Sequence, residues 1–232
     1  MVGTKASDGL IKRWIRFQGN VYDKTANALT QVVDDCLGSG VDHIHLMISS
    51  GGGVVFYGSN LFSQLKRLPI KISTYNISTV ESIAVPLFCA GDERYCVPEA
   101  KFMIHPVLLQ PVQNQFFNAR QFQELSDMCT AQTRCIANII ADTTGKDLDQ
   151  VYEDMHRTTW LNAQQSQSYG LVNTVVTDLL PPDTELTAIY EDGTVRTHTP
   201  STSRIQKLPD LASLGIKLPG TAGKPSTPAG PN

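Results

Sequence analysis

The amino-acid sequence predicts an α/β protein built around a mostly parallel sheet. Short apolar or alternating segments, typical of strands, are interleaved with segments whose apolar residues recur at helical spacing. Strands that alternate with helices of this length form βαβ units, and the strands of such units lie parallel. With 232 residues, 41% of them hydrophobic, the chain is long enough to bury a full core in one domain.

The first half of the chain supplies three strands and three helices. Each predicted helix has apolar residues three or four apart, and each ends near glycine or proline. In chain order, the elements are strand 13–19, helix 25–40, strand 41–50, helix 54–68, strand 70–76 and helix 82–91.

The second half predicts a further layer of elements and then a tail. Two short strands flank a turn at Pro98 within 93–107, and a long amphipathic helix over 117–145 ends at a glycine. A short helix over 148–155 follows, and then a helix that passes into a strand within 164–176. We expect a short N-terminal segment over 1–12, one domain over 13–197, and a largely disordered tail, rich in Pro, Gly, Ser and Thr, over 198–232.

Charge and hydropathy argue against two classes of partner. The net charge of −3 and the scattered Lys and Arg residues give no basic surface for nucleic acid. No segment approaches the run of about 20 apolar residues that spans a bilayer, and the N-terminus lacks a signal-peptide core. We therefore expect a cytoplasmic protein that binds neither nucleic acid nor membrane.

Neither the cysteines nor the histidines show the spacing of a metal site. The five cysteines form no CxxC pair, so we interpret them as reduced and mostly buried thiols. His43 and His45 share one face of a predicted strand, but no third ligand is near them in sequence. We expect no metal and no cofactor.

Three features in succession have residue types that suit nucleophilic catalysis. Glycines 51–53 follow a strand and let backbone N–H groups approach a ligand, Ser82 stands where a strand meets an apolar helix, and His105 ends the strand "KFMI". N–H groups at a helix N-terminus stabilise an oxyanion formed when a serine attacks a carbonyl. Each feature also has a structural interpretation, because glycine turns, serine N-caps and core histidines are common.

The order of these features resembles a known family. "ISSGGGVVFYGSNLFSQL", "NISTVESIAVPLFCAG", "ERYCVPEAKFMIHPV" and "RTTWLNAQQSQSYGLVNTV" are similar to segments of the Clp protease proteolytic subunit, ClpP, over roughly 13–176. The resemblance implies the ClpP/crotonase-like fold, with repeated ββα units and a protruding handle helix. It also implies a serine-type endopeptidase that cleaves peptides or unfolded proteins and assembles into homo-oligomeric rings.

The same resemblance implies a role for each matching residue. Ser82 matches the nucleophile and His105 the general base, while Gly52 and Ile83 match the residues whose N–H groups form the oxyanion hole. Thr158 stands where the family has the aspartate of its catalytic triad. A threonine can accept a hydrogen bond from the imidazole, but it supplies no charge to stabilise an imidazolium, so we expect reduced activity.

Other acids are candidates to replace that aspartate. Glu153 and Asp154 lie about one helical turn upstream of Thr158, and Glu81 adjoins Ser82. Neighbouring residues on a helix diverge by about 100°, so Glu81 is the weaker candidate, and it can instead favour the helix dipole.

Two further departures from the family concern binding. The residues after the catalytic histidine are glycine-rich in the family and pair with the substrate backbone, whereas here they are "HPVLLQPVQNQFF". Proline has no N–H, which argues against strand pairing with a peptide at that place. The family's N-terminal axial loops are short or missing here, which argues against an unfoldase ATPase partner.

Three alternatives remain open at this point. One is a catalytically weak or inactive ClpP-like scaffold or regulatory ring component, as Thr158 and the altered segment after His105 suggest. Another is a crotonase-fold enzyme that acts on an acyl-CoA thioester with the same backbone amides. The last is a Ser-Lys dyad, for which Lys101 is the candidate lysine.

Overall fold

The computed structural model describes residues 4–5, 9–110 and 116–199. These residues belong to one compact unit, Met1–Pro200. The tail predicted over 198–232 lies outside the described residues from position 200 onward. The sheet begins before residue 13, the predicted start of the domain. Its first strand is Thr4–Lys5, and its second strand begins at Ile11.

In the described residues, ten strands form one sheet. They are β1 Thr4–Lys5, β2 Ile11–Gln18, β3 His43–Ser50, β4 Lys71–Glu81, β5 Glu93–Cys96, β6 Lys101–Ile104, β7 Thr159–Asn162, β8 Thr174–Val175, β9 Leu186–Ile189 and β10 Val195–His198.

Among the described residues, six helices pack against this sheet or extend from it. They are α1 Asp23–Gly38, α2 Val55–Leu65, α3 Ala84–Cys89, α4 Ala119–Thr144, α5 Leu148–His156 and α6 Ala163–Tyr169.

The sheet is mostly parallel, as predicted. Its order is β10-β9-β2-β3-β4-β5-β8, with β1 on β2, and β6 between β4 and β7. The contacts β2–β3, β3–β4, β4–β5, β4–β6, β2–β9 and β5–β8 are all parallel. The main exceptions are the β6–β7 pair and the β9–β10 hairpin, which are antiparallel.

Strand β4 is longer than predicted and pairs with a different strand along each half of its length on this side. Residues 73–76 pair with β5, and residues 79–81 pair with β6. Buried Asn76 stands at the change of partner, where its side-chain amide donates to the Lys101 carbonyl and its side-chain oxygen accepts from Ser78 N–H. These bonds satisfy backbone groups where the ladder is interrupted, so the strand continues to the residue before Ser82.

Helix α4 begins away from the core and ends in it. Its buried residues, Thr133, Ile136, Ala137, Ile140 and Ala141, all belong to its second half. Phe122 and Met128 in the first half are 60% and 41% exposed. The helix ends at Gly145 in the left-handed conformation, which confirms the predicted glycine cap.

One face of the sheet carries a buried polar and aromatic cluster around His43 and His45. His43 Nε2 lies 2.9 Å from Ser73 Oγ, and His45 Nδ1 lies 2.9 Å from the Tyr75 hydroxyl. Trp14 stacks on His45 at 4.0 Å between ring centroids, and His45 Nε2 has no hydrogen-bond partner among the described residues. Nowhere in the described residues is a group of three His, Cys, Asp or Glu residues arranged to hold a metal ion.

All five cysteines are free thiols, and three of them are buried. Burial raises the pKa of the Cys36, Cys89 and Cys96 thiols to about 11, so these three are protonated at neutral pH. Among the described residues, no helix is both long and apolar enough to cross a membrane.

Candidate active site

Ser82 occupies a tight turn between β4 and α3. Its φ of 56° lies in the left-handed region, which residues other than glycine rarely adopt. The turn is held by Ser82 N–H, which donates to the Met103 carbonyl at 2.8 Å, and by the Ser82 carbonyl, which accepts from Val85 N–H at 3.0 Å. A strained serine between a strand and a helix has its hydroxyl presented rather than buried in either element.

The glycine turn after β3 lies directly against this serine. A Cβ atom added to Gly52 would lie 2.5 Å from Ser82 Cβ and 3.1 Å from Ser82 Oγ, so only glycine fits there without movement. Gly52 also has a φ of +95°. The Gly52 N–H donates to Ser50 Oγ at 3.2 Å, whereas Ile83 N–H has no hydrogen-bond partner among the described residues.

His105 directly follows β6, the strand that pairs with the end of β4. Glu81 pairs with Met103 at the end of β4, and His105 follows Ile104, the last residue of β6. Ser82 and His105 both line a cavity of about 430 Å³. The rest of the lining is mainly apolar and includes Val55, Ile83, Ile104, Val107, Leu108, Leu109, Ile136, Ile140 and Met155.

Thr158 lies at the same edge of the sheet. Strand β7 runs antiparallel to β6, with Ile104 opposite Thr159, so the next residue pair in register is His105 and Thr158. Thr158 is exposed and has a φ of 54°, an uncommon conformation for a β-branched residue. Strand order thus brings three sequence-predicted residues together at the ends of three neighbouring strands.

The three side chains are not hydrogen-bonded to one another. Within the described part of the chain, no hydrogen bond joins the side chains of Ser82, His105 and Thr158. Catalytic hydrogen bonds are often long in an empty site and shorten when substrate binds.

Two of the three candidate replacement acids have other partners. The Asp154 carboxylate accepts from the Tyr169 hydroxyl at 2.8 Å, and the Glu81 carboxylate accepts from the Thr79 hydroxyl at 2.6 Å. Glu153 is exposed on α5. None of these three carboxylates forms a hydrogen bond to His105 in the described structure.

Lys101 lies at the opposite end of β6 from His105. It pairs with Thr79 on β4, three residues before Ser82. At about 3.3 Å per residue along a strand, this separation leaves no ammonium group beside the serine hydroxyl. The geometry therefore does not favour a Ser-Lys dyad.

The segment after His105 offers few donors to a peptide. Pro106 has no N–H, and Val107 N–H donates to Thr133 Oγ1 on α4 at 2.9 Å. Thr133 is 2% exposed, and its hydroxyl donates in turn to the Cys129 carbonyl at 2.8 Å. Neither of the first two positions after the histidine therefore has a free N–H for strand pairing.

Sequence reasoning did not identify Ser50 or Thr133 as neighbours of the site. Ser50 precedes the glycines, and its hydroxyl bond to Gly52 depends on the conformation of that turn. Thr133 lies 26 residues after Val107, and no local pattern links the two. The position of Ser82 between a strand and a helix, by contrast, was predicted from the sequence, although its positive φ was not.

This site has the layout of an α/β serine hydrolase: a strained serine, an adjacent glycine turn, and a histidine on the neighbouring strand. Comparison with known proteins narrows the class. The family model described as Clp protease matches residues 4–178 of the chain.

Two curated relatives have the same family name. ATP-dependent Clp protease proteolytic subunit 2 of Corynebacterium glutamicum is 31% identical over 179 residues, which cover 75% of this chain and 87% of that protein. ATP-dependent Clp protease proteolytic subunit 1 of Corynebacterium jeikeium is 31% identical over 172 residues, which cover 72% of this chain and 89% of that protein.

A solved structure, ClpP1 of Listeria monocytogenes determined as a point mutant, superimposes with a TM-score of 0.63. The match covers 72% of this chain and 92% of that one at 21% identity, and it confirms the predicted fold. The chain belongs to the Clp protease family and is a ClpP-type serine peptidase. These findings favour the peptidase hypothesis over the acyl-CoA alternative.

Proposed function

We propose that this chain is an endopeptidase that cleaves peptides or unfolded proteins with Ser82 as nucleophile and His105 as general base. One observation carries the assignment: Ser82 and His105, from neighbouring strands, line the same cavity. The contact between Gly52 and Ser82 supports a further assignment, in which Gly52 and Ile83 supply the oxyanion hole.

The reaction follows from these roles. Ser82 Oγ attacks the peptide carbonyl while His105 accepts its proton, and the oxyanion that forms accepts hydrogen bonds from Gly52 N–H and Ile83 N–H. His105 then donates the proton to the leaving amine, and water hydrolyses the acyl-enzyme by the reverse proton path. To bind the oxyanion, Gly52 N–H must give up its hydrogen bond to Ser50 Oγ. Because that bond is long, at 3.2 Å, breaking it costs little free energy.

We propose that Thr158 orients the His105 imidazole by a hydrogen bond but adds no negative charge beside it. Its hydroxyl can accept the second imidazole N–H and so select the tautomer that serves as a base. It cannot stabilise the imidazolium as a carboxylate does. Replacement of the triad aspartate by asparagine in a serine protease, which also imposes the wrong tautomer, costs about 10⁴-fold in rate. We therefore infer a slower enzyme than one with aspartate at this position.

The apolar cavity and the glycine turn together suggest how a peptide binds. The Val21 backbone bonds to Gly52 and Val54, so the N–H and C=O of the intervening Gly53 point away from Val21 and have no partner among the described residues. We infer that an extended peptide pairs with Gly53 and places an apolar side chain in the cavity. Pairing on the His105 side is restricted by Pro106 and by the Val107–Thr133 bond.

Assembly and location are inferred from the family and from helix α4. The exposed apolar side chains on its first half, Phe122 and Met128, suit contact with another copy of the chain. We infer a homo-oligomeric ring in the cytoplasm, and the sequence argument against an unfoldase partner stays a prediction.

A second candidate is a catalytically weak ring component. The absence of a hydrogen bond between Ser82 and His105 within the described residues, together with Thr158 in place of an acid, favours it. In this alternative the chain is a structural subunit of a ring and cleaves little or no substrate itself.

A fluorophosphonate probe separates the two candidates without knowledge of the natural substrate. Labelling requires an activated serine, a base and an oxyanion hole, and the adduct is detected by intact mass. We expect one adduct on the wild-type chain and none on Ser82→Ala. No adduct on a folded and assembled wild-type protein would contradict the proposed function and support the ring-component candidate.

A further inference from the structure

The β9–β10 hairpin lies outside the part of the chain that matches the family. The family match ends at residue 178, whereas β9 and β10 occupy residues 186–198. β9 pairs in parallel with β2 over Trp14–Phe17, on the side of β2 away from β3. The hairpin thus extends the sheet beyond β2, in a part of the chain that the family match does not cover.

The hairpin is firmly attached to that edge. Ala188 and Ile189 are 0% exposed, and the guanidinium groups of Arg16 and Arg196 both lie over the Tyr190 ring, at 6.0 and 5.8 Å from its centroid. Such contacts add to the backbone pairing of the strand. The loop that follows Tyr190 is therefore held in place beside the end of β2.

Within that loop, the Glu191 carboxylate contacts the segment that follows β2. Its Oε2 atom accepts a hydrogen bond from Asn20 N–H at 2.6 Å. Gly19 permits this approach, because an added Cβ there would lie 2.9 Å from the Glu191 Cα atom and would overlap the carboxylate. A short bond from a backbone N–H to a carboxylate is among the stronger hydrogen bonds.

The segment held by Glu191 is the same segment that supports the glycine turn. Val21, next to Asn20, donates to the Gly52 carbonyl at 2.7 Å and accepts from Val54 N–H at 2.9 Å. Gly19 N–H donates to the Ser49 carbonyl at 3.1 Å. The residues before and after Asn20 are therefore bonded to both sides of the turn that carries Gly52.

We infer that Glu191 is a positioning residue for the oxyanion hole. Through Asn20 and Val21 it holds the Gly52 carbonyl, and with it the conformation of the glycine turn from which the oxyanion donor comes. The inference rests on the proposed function, since it assigns a purpose to the Gly52 N–H. An oxyanion donor acts only within a few tenths of an ångström of its required place, and a glycine with positive φ has no side chain to fix it. The hairpin, which lies outside the family match, supplies that restraint.

The test uses the full-length chain and three variants. Glu191→Ala removes the acceptor for Asn20 N–H, while Glu191→Gln keeps an acceptor of the same length. Asp192→Ala is the matched control, because the Asp192 carboxylate accepts from Thr194 N–H within the hairpin turn, and no hydrogen bond joins it to Asn20 among the described residues. The first measurement is the fluorophosphonate reaction, resolved into the limiting rate constant and the probe concentration at half-maximal rate.

We expect Glu191→Ala to lower the limiting rate constant about tenfold, less than the loss of a whole oxyanion donor, with the half-maximal concentration unchanged. Glu191→Gln should restore most of the rate, and Asp192→Ala should match the wild type. Equal rates in Glu191→Ala and the wild type would overturn the inference. So would an equal loss in Asp192→Ala, because that result indicates a merely structural role for the hairpin.

Amide hydrogen exchange over residues 49–54 provides a measurement that does not need a working serine. Exchange should be faster in Glu191→Ala than in the wild type, Glu191→Gln or Asp192→Ala, all in the Ser82→Ala background. Unchanged exchange would overturn the positioning of the turn. If the wild type does not react with the probe but exchange responds as expected, the proposed function fails and the mechanical link from Glu191 to the turn holds.

Discussion

At the residue scale, backbone strain is concentrated where the chemistry is proposed. Ser82 and Thr158 are two of three described non-glycine residues with positive φ, and both stand beside His105 at the ends of neighbouring strands. A left-handed conformation costs about 1–3 kcal/mol at such residues and persists only where surrounding contacts enforce it. Both positions are therefore sensitive to changes of side chain.

Thr158→Asp is predicted to accelerate the fluorophosphonate reaction by tenfold or more, because a carboxylate opposite His105 stabilises the imidazolium. Thr158→Asn is the matched control, since it also tolerates positive φ but adds no charge. The rate constants of the three proteins are compared at one pH. Equal rates for the Asp and Asn variants would show that charge at this position does not act on His105.

The histidine pair predicts an acid-labile fold. Burial, followed by nearby cations, lowers the pKa of His43 to about 4, and burial, followed by His43, lowers the pKa of His45 to about 3. In the unfolded chain both titrate near pH 6.5. Because the folded state binds fewer protons, the stability they contribute is complete above about pH 6.5 and is lost as pH falls toward 4 and 3.

We predict that the free energy of unfolding falls by roughly 3 kcal/mol per histidine between pH 7 and 4, measured by urea titration. His45→Gln should flatten this slope, whereas His156→Gln, at an exposed position on α5, should leave it unchanged. An identical slope in His45→Gln and the wild type would count against the buried pair as the source.

At the element scale, helix α4 does more than protrude from the sheet. Its buried half contributes Ile136 and Ile140 to the cavity wall, and its Thr133 hydroxyl accepts from Val107 N–H, two residues beyond His105. The helix therefore fixes the backbone that carries the proposed base. A change on α4 far from the reacting atoms is expected to reach the site by this route.

Thr133→Val is predicted to slow the fluorophosphonate reaction about fivefold, since it leaves the Val107 N–H without its acceptor and loosens the segment after His105. Thr133→Ser keeps the hydroxyl and serves as the control. Amide exchange over 105–110 should rise in the Val variant alone. If the Val and Ser variants react and exchange alike, the bond does not position the histidine.

At the scale of the whole molecule, the proposed ring predicts the mass of the protein in solution. Light scattering should give a mass several times the 25.4 kDa of one chain. Phe122→Asp should reduce that mass, because Phe122 is 60% exposed on the first half of α4, and Gln123→Ala should not. A wild-type species near the mass of one chain would contradict the ring.

Local patterns predicted most of the elements and missed those that depend on distant partners. Helices α1, α2, α4 and α5 follow from apolar spacing and end signals, and β3 from a buried run of apolar residues. β7 was missed because its four residues form a strand only against β6. The β9–β10 hairpin was also missed, although Asp192 and Gly193 form a typical turn pair within an alternating segment.

The sequence by itself determined the fold class, the family and the residue types of the proposed site, because apolar periodicity and the motifs around Ser82 and His105 are local properties. Only the tertiary structure decided which residues meet. It placed Thr158 opposite His105, Thr133 on Val107, and Glu191 on the segment that supports Gly52. Strand register and hydrogen bonds between residues far apart in the chain set these contacts, and no local pattern encodes them.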